Sequence, residues 1–176
     1  MSKGHEMGTL VIVESHFGNT WTIGEAVASA FPDATLLRVD NAPKRIDPSV
    51  NLLILGAPTH AFTLSSADSR ASALERKTAG AQAARSGGFR ASATGLREWI
   101  AEASIPSTTK VLTFDTCVAG AGPLFGRAAK KAIKSLAASG VNARYGATFW
   151  VTGADQLRSE ETERAAAWAR GLKAGE

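Results

Sequence analysis

Thr9 to Phe31 reads TLVIVESHFGNTWTIGEAVASAF, and this stretch decides the architecture. Thr9 to Val13 is a continuous apolar run bounded by polar residues, the pattern of a strand buried on both faces of a parallel sheet. From Thr20 to Phe31 the period changes. Ile23, Val27 and Phe31 recur every four residues with alanines filling the same face, which predicts a helix ended by Pro32-Asp33. Between the two lies a short polar turn, Ser15 to Thr20, built around Gly18.

The same alternation continues outward. Thr35 to Val39 predicts a second strand, and Pro43 and Pro48 leave any second helix between Asp40 and Asn51 short or missing. Leu52 to Leu55, followed by Gly56-Ala57-Pro58, is a third buried strand and its exit. Thr59 to Thr94 then breaks the rhythm. It is rich in Ala, Ser, Arg and Gly, and predicts a long excursion with one helix around Ser69 to Arg76, interrupted at Gly80, Gly87 and Gly88. A connection of this length suits a functional lid or a mobile segment. Leu96, Trp99, Ile100 and Ala103 mark a helix over Gly95 to Ala103, and Lys110 to Phe114 a fourth strand. The turn Gly120-Ala121-Gly122-Pro123 leads into an amphipathic helix over Leu124 to Ala138 with lysines outside. Tyr145 to Thr152 is the fifth strand. A last helix covers Ser159 to Leu172, with Ser159 as its cap and Glu160 spaced to pair with Arg164.

Strands alternating with helices imply an α/β three-layer sandwich, a five-stranded parallel sheet of order 2-1-3-4-5 with helices on both faces. Residues 9–176 read as a single domain behind a short, flexible polar segment, residues 1–8. The 176 residues are 44% hydrophobic and 20% charged, ordinary for one globular domain. No apolar run approaches the roughly 18 residues of a membrane span, and the N-terminus lacks a secretory apolar stretch. The net charge of +4 comes from scattered Lys and Arg, so neither nucleic acid nor membrane is expected as a partner. Cys117 is the lone cysteine, and His5, His16 and His60 show no metal-ligand spacing. No metal site is expected, and a reducing cytoplasm is the expected location.

Ligands of such a sheet sit beyond the carboxyl ends of its strands. That singles out Glu14 to Thr20, Gly56 to Ser65 and Asp115 to Pro123. In the first, Gly18 permits a tight turn and a close backbone approach, while Ser15, Asn19 and Thr20 offer neutral donors. The following helix supplies free N–H groups and the positive end of its dipole, a site for an anion such as phosphate. The same spacing equally describes a plain strand-to-helix turn with Thr20 as cap. Other nucleotide and catalytic motifs are missing: no G-x-G-x-x-G follows the first strand, and no G-x-x-x-x-G-K-[ST] or G-x-S-x-G occurs. Leu55-Gly56-Ala57 carries no acidic residue to accept a phosphoryl group.

Ser15-x-x-Gly18-Asn19-Thr20 after the first strand and Gly56-x-Pro58-Thr59 after the third resemble the FMN-binding segments of the flavodoxin superfamily. Phe17 before the glycine is similar to flavodiiron flavodoxin domains and to quinone reductases of the tryptophan-repressor-binding-protein type. The fuller set is most similar to small actinobacterial flavodoxin-family proteins: Glu14-Ser15-x-Phe17-Gly18-Asn19-Thr20, Pro58-Thr59-His60-Ala61-Phe62, Gly95-Leu96-Arg97-Glu98-Trp99 and Phe114-Asp115-Thr116. The resemblance spans Thr9 to Leu172. It implies FMN as cofactor, with Ser15, His16, Phe17, Gly18, Asn19 and Thr20 around the phosphate. Pro58, Thr59, His60, Ala61 and Phe62 would line the ribityl and ring, with Asp115, Thr116, Cys117 and Val118 on the ring's other side. It further implies electron transfer, or NAD(P)H-dependent reduction of a quinone-like or protein acceptor, with a homodimer left open. Carrier flavodoxins usually stack Tyr or Trp on the ring and are acidic; here only Phe62 and His60 are offered and the chain is basic. A very low-potential shuttle is therefore disfavoured, and a regulatory or interaction module with weak or no flavin binding is the alternative.

Individual residues carry paired readings. His60 is a flavin contact or proton relay, or a loop histidine bonded to backbone. His16 is expected to face solvent and contribute its backbone N–H, and Cys117 to be an inert thiol. Trp99 and Trp168 belong to the core, while Trp21 leans on the first loop or sits on the surface. Arg70, Arg76, Lys77, Arg85 and Arg90 would receive an NADPH phosphate or form a solvated face.

Overall fold

The structure, a computed structural model, describes residues 8–61, 63–120 and 127–174. Its strands are β1 (Gly8–Val13), β2 (Thr35–Arg38), β3 (Val50–Pro58), β4 (Lys110–Val118) and β5 (Ala143–Val151). The helices are α1 (Asn19–Ala28), α2 (Ala67–Leu74), α3 (Ala79–Ser86), α4 (Leu96–Glu102), α5 (Ala128–Ala138) and α6 (Glu161–Ala174). All strand pairs are parallel, in the order β2-β1-β3-β4-β5. This is the expected α/β sheet, with β1 between β2 and β3 and β3 at its centre.

The period-2 alternation of β1 divides the core. Leu10 and Ile12 face the side covered by Trp99 and Ile100 of α4 and by Ala128, Ala132 and Leu136 of α5. Val11 and Val13 face Ile23 and Val27 of α1 and Ala165 and Ala169 of α6. Both faces are thus covered, which is why the strands read as apolar runs rather than alternating ones. Trp99 is fully buried and donates Nε1–H to the Pro43 carbonyl at 3.2 Å. Trp168 packs edge-to-face on Phe114 and Phe149. Trp21 packs partly buried against the α1/α6 cluster.

Several boundaries move. Gly8, placed by sequence in the lead-in, is the first residue of β1. β3 and β4 run on through Pro58 and Val118, because their exits are paired with each other at Ala57–Asp115 and Pro58–Thr116. The predicted Gly-rich turn at residues 120–123 and the start of the next helix fall largely outside the described residues, and α5 is seen from Ala128. The last helix begins at Glu161, where Ser159 Oγ bonds the Glu160 carboxylate. Arg164 pairs with Glu161 rather than with Glu160.

The excursion departs most. It holds two helices, not one. Ser66 and Ser69 form a reciprocal capping box that starts α2, and Thr78 caps α3 through the Ala81 N–H. Gly80, read as a breaker, lies inside α3 because that helix packs on backbone. A Cβ there would run into the Asp155 carbonyl, and its N–H donates to the Ala154 carbonyl at 2.8 Å. Among the described residues no helix is long and apolar enough to cross a membrane.

Candidate functional site

A cavity of about 270 Å3 opens beyond the carboxyl ends of β1, β3, β4 and β5, close to the lower end of the roughly 300–1,000 Å3 of ligand pockets. Three of its walls were expected. Ser15, His16, Phe17, Asn19 and Thr20 come from the first loop, Pro58, Thr59, His60 and Ala61 from the exit of β3, and Thr116, Cys117 and Val118 from the end of β4. Gly18 and Asp115 do not line it, and Phe62 lies outside the described residues.

Gly18 does its work from behind. Its φ of +86° turns the chain into α1, for which it is the N-cap without a side-chain bond. The first helical bond runs from Thr22 N–H to the Gly18 carbonyl at 2.9 Å. Trp21 N–H donates to Ser15 Oγ at 3.3 Å. The N–H groups of Gly18, Asn19 and Thr20, at the N-cap and first two positions of α1, have no carbonyl partner within the helix, so they can meet an anion. The side chains of this loop are otherwise engaged. Asn19 Nδ2 donates to the Asp155 carbonyl at 2.7 Å, and Thr20 Oγ1 lies 2.8 Å from Thr116 Oγ1. Thr20 is therefore a tie between the first and third walls, not a helix cap.

The excursion braces this loop from outside. Ser15 N–H donates to Ser92 Oγ at 3.0 Å, Ser92 N–H donates back to the Ser15 carbonyl at 2.9 Å, and the Phe89 ring packs on Gly18. A fourth wall was not anticipated: Arg76, Val151 and Asp155. Asp155, in the turn after β5, holds φ +57° and is 7% exposed. Its carboxylate accepts from Arg76 Nε at 2.8 Å and from Thr78 Oγ1 at 2.5 Å, which pins the excursion over the site. A short acidic residue next to Gly153-Ala154 was the available signal, since Asp tolerates a left-handed turn.

His16 is buried, 5% exposed, rather than solvent-facing. The cause is Glu14, fully buried at the end of β1, whose Oε1 lies 2.9 Å from His16 Nε2. Glu14 also accepts from Ser65 Oγ and, through Oε2, from Leu96 N–H at 2.7 Å. Burial pushes the Glu14 carboxyl up, but the donors His16, Ser65 and Leu96 together hold it below its ordinary value. His60 meets the His16 ring edge-on at 4.7 Å between centroids, and burial, reinforced by His16, lowers its pKa to about 4. Among the described residues, His16 Nδ1 and His60 Nε2 are buried without a hydrogen-bond partner.

Asp115 points away from the cavity and accepts from Ala129 N–H at 2.9 Å and Thr148 Oγ1 at 2.6 Å; burial raises its pKa. Burial also raises the Cys117 thiol, which leaves it a poor nucleophile. Of the arginines offered to an NADPH phosphate, Arg70 pairs with Glu98 and Arg76 with Asp155, while Arg85 donates to the Leu74 and Arg76 carbonyls. Among the described residues no group of three His, Cys, Asp or Glu could hold a metal.

Compared by sequence, the chain matches no protein-family model and no curated protein. Compared by structure, it superposes on oxidised flavodoxin 2 of Bacillus cereus with a TM-score of 0.60 at 14% identity, over 96% of this chain and 99% of that one. Oxidised flavodoxin 1 of Bacillus cereus gives 0.58 at 16% identity, over 94% and 97%, and a flavodoxin from the domain Archaea 0.58 at 10%, over 96% and 98%. The fold is flavodoxin-like. At these identities the likeness establishes the architecture, and the flavodoxin-like chain's own residues must carry the chemistry.

Those residues fit FMN on their donor set. One end of the cleft offers neutral backbone donors at the start of α1. The other is a largely apolar slot between Pro58–Ala61 and Thr116–Val118, with two orphaned ring nitrogens in its wall. An anionic head on a flat body with polar edges matches both ends.

Proposed function

We propose that this protein binds FMN in the cleft and takes part in electron transfer or in NAD(P)H-dependent reduction of a quinone-like or protein acceptor. The observation that carries the reading is Gly18 at φ +86°, which turns the start of α1 toward a cavity bounded by the ends of β1, β3 and β4. In a sheet of this order, β1 and β3 flank the switch point where ligands bind. Backbone N–H groups of Gly18, Asn19 and Thr20 would hold the phosphate, while Ser15 and Ser92 keep the loop in shape. Pro58, Thr59, His60 and Ala61 would lie along one side of the ring and Thr116, Cys117 and Val118 along the other, excluding water. Phe62, next in sequence to Ala61, belongs to the same proposed segment. Bound FMN would supply reversible one- and two-electron chemistry, and the protein its placement and potential.

FMN titrated into purified protein and followed by flavin fluorescence tests this. Wild type should bind, and Gly18→Asp, which strains a left-handed position and sets a carboxylate against the Phe89 ring behind the loop, should distort the loop and abolish binding. Thr20→Ala should weaken it several-fold by freeing Thr116 from its tie. No binding by wild type at tens of micromolar FMN refutes the oxidoreductase reading and leaves an interaction module.

A further inference from the structure

The first wall contains more than a phosphate loop needs. Glu14 is fully buried, and a carboxylate there costs stability unless its neighbours compensate. Its neighbours are His16, Ser65 and the Leu96 N–H, with Ser65 Oγ in turn accepting from Arg70 Nη1 at 2.9 Å. Arg70 is itself paired with Glu98 at 3.0 Å, so the chain Glu98–Arg70–Ser65–Glu14 carries one uncompensated negative charge, on Glu14. A carboxylate oxygen can only accept here, so Nε2 carries hydrogen and donates to Glu14. That fixes the ring and leaves Nδ1 as the nitrogen available to a proton, buried and without a partner among the described residues. A buried carboxylate that orients an imidazole lining a ligand cleft, with the ring's second nitrogen unpartnered among the described residues, is an arrangement for handling protons.

We propose that Glu14 and His16 form a proton-uptake dyad: reduction of a ligand held in the cleft draws one proton from solvent onto His16 Nδ1, with Glu14 as the positioning residue. The inference rests on the flavin reading above. Electrons arriving from a reduced nicotinamide or a reduced protein partner would add negative charge to a ligand in the cleft that His16 lines. One N–H bond forms at Nδ1 at the expense of a solvent proton, no bond in the protein breaks, and reoxidation returns the proton to water. Coupling of this kind favours acceptors that gain protons with their electrons, such as quinones.

Other charged groups nearby do not supply this role. His60, on the loop after β3, is kept neutral by burial and by its neighbour. Arg76, between α2 and α3, is committed to Asp155 in the turn after β5. Arg70 of α2 and Glu98 of α4 satisfy each other behind Ser65. Cys117, at the end of β4, stays a thiol.

The test is the midpoint potential of the FMN-loaded protein from about pH 5.5 to 8.5, a range that brackets ordinary imidazole titration. It is measured in wild type, His16→Gln and Glu14→Gln. Uptake at His16 steepens the wild-type line over part of the range by about 30 mV per pH unit, one tenfold step for a two-electron couple. His16→Gln keeps a donor to Glu14 but binds no proton, so its line lacks the extra slope. Glu14→Gln moves the steep segment to lower pH. Parallel lines in wild type and His16→Gln overturn the dyad and leave flavin binding intact, whereas no FMN binding by wild type overturns both. Ring-nitrogen NMR of wild type gives a readout that survives a variant failing to fold. The free protein should show His16 protonated on Nε2, with Nδ1 protonated on reduction at neutral pH. An Nδ1–H tautomer in the free protein overturns the dyad outright.

Discussion

Asp155→Ala should detach the excursion from the site, and the structure allows the cost to be worked out. The carboxylate accepts from Thr78 Oγ1, a part-buried bond to a charged group, worth about 1.5–2 kcal/mol. The Arg76 pair at 2.8 Å joins a nearly buried carboxylate to a half-exposed arginine, so solvent reduces it to about 0.5–1 kcal/mol. Alanine at φ +57° adds a backbone cost of about 0.5–1 kcal/mol, because Asp tolerates this region better. The total is about 3 kcal/mol, a fall in Tm of about 6–12 °C for a chain of this size if the loss is global. Asp155→Asn keeps the turn preference and one acceptor and should lose about a third of that. Hydrogen exchange distinguishes local from global loss: α3 and the Gly80 N–H, bonded to Ala154, should lose protection before β1 and β3 do. Unfolding within about 0.5 kcal/mol of wild type, with exchange in α3 unchanged, would refute the claim that this contact holds the excursion down.

Ser92→Ala removes the acceptor of the Ser15 N–H and should destabilise by about 1–3 kcal/mol, with weaker FMN binding read in the same fluorescence titration. Ser66→Ala breaks the capping box of α2 and should cost about 1 kcal/mol in urea unfolding while leaving FMN affinity within twofold. Wild-type stability should fall with acid. The folded His60 pKa of about 4 lies below its ordinary 6.5, so its contribution is full above pH 6.5 and is lost as pH falls from there toward 4, by up to about 3 kcal/mol. The depressed Glu14 carboxyl, present in full above its ordinary 4.5, is lost below that. His60→Gln should flatten the urea midpoint between pH 6.5 and 4, and an unchanged slope would contradict the burial argument.

The sheet was legible because its strands are buried on both faces. Leu10 to Val13 and Leu52 to Leu55 are uninterrupted apolar runs whose residues alternate between two cores, and no loop chemistry was needed to find them. The first loop was legible in position because Gly18 is a glycine where the chain needs φ +86°. What its side chains do was not legible. Asn19 and Thr20 look like ligand donors in one dimension and are ties to Asp155 and Thr116 in three, 136 and 96 residues away. His16 looks exposed beside Gly18 until Glu14 turns inward two residues before it. Nothing local announces that turn, because its causes are Ser65 and Leu96 from distant segments.

The excursion explains why so much lay outside the reach of local pattern. Thr59 to Thr94 contains few large apolar residues, so its helices depend on capping by Ser66, Ser69 and Thr78 and on docking through Gly80. It meets the site at three separate places. Ser65 reaches Glu14, Arg76 and Thr78 reach Asp155, and Phe89 and Ser92 brace Gly18 and Ser15. Those contacts link polar groups to a loop whose backbone must stay open to a ligand. A wholly apolar lid would have removed Ser65, one of the three donors to the buried Glu14 carboxylate. The polar composition that made this segment look like a mobile loop is therefore what lets it act as a fixed wall. Loosening it at Asp155 should lower FMN affinity without any change in the residues that would touch the phosphate.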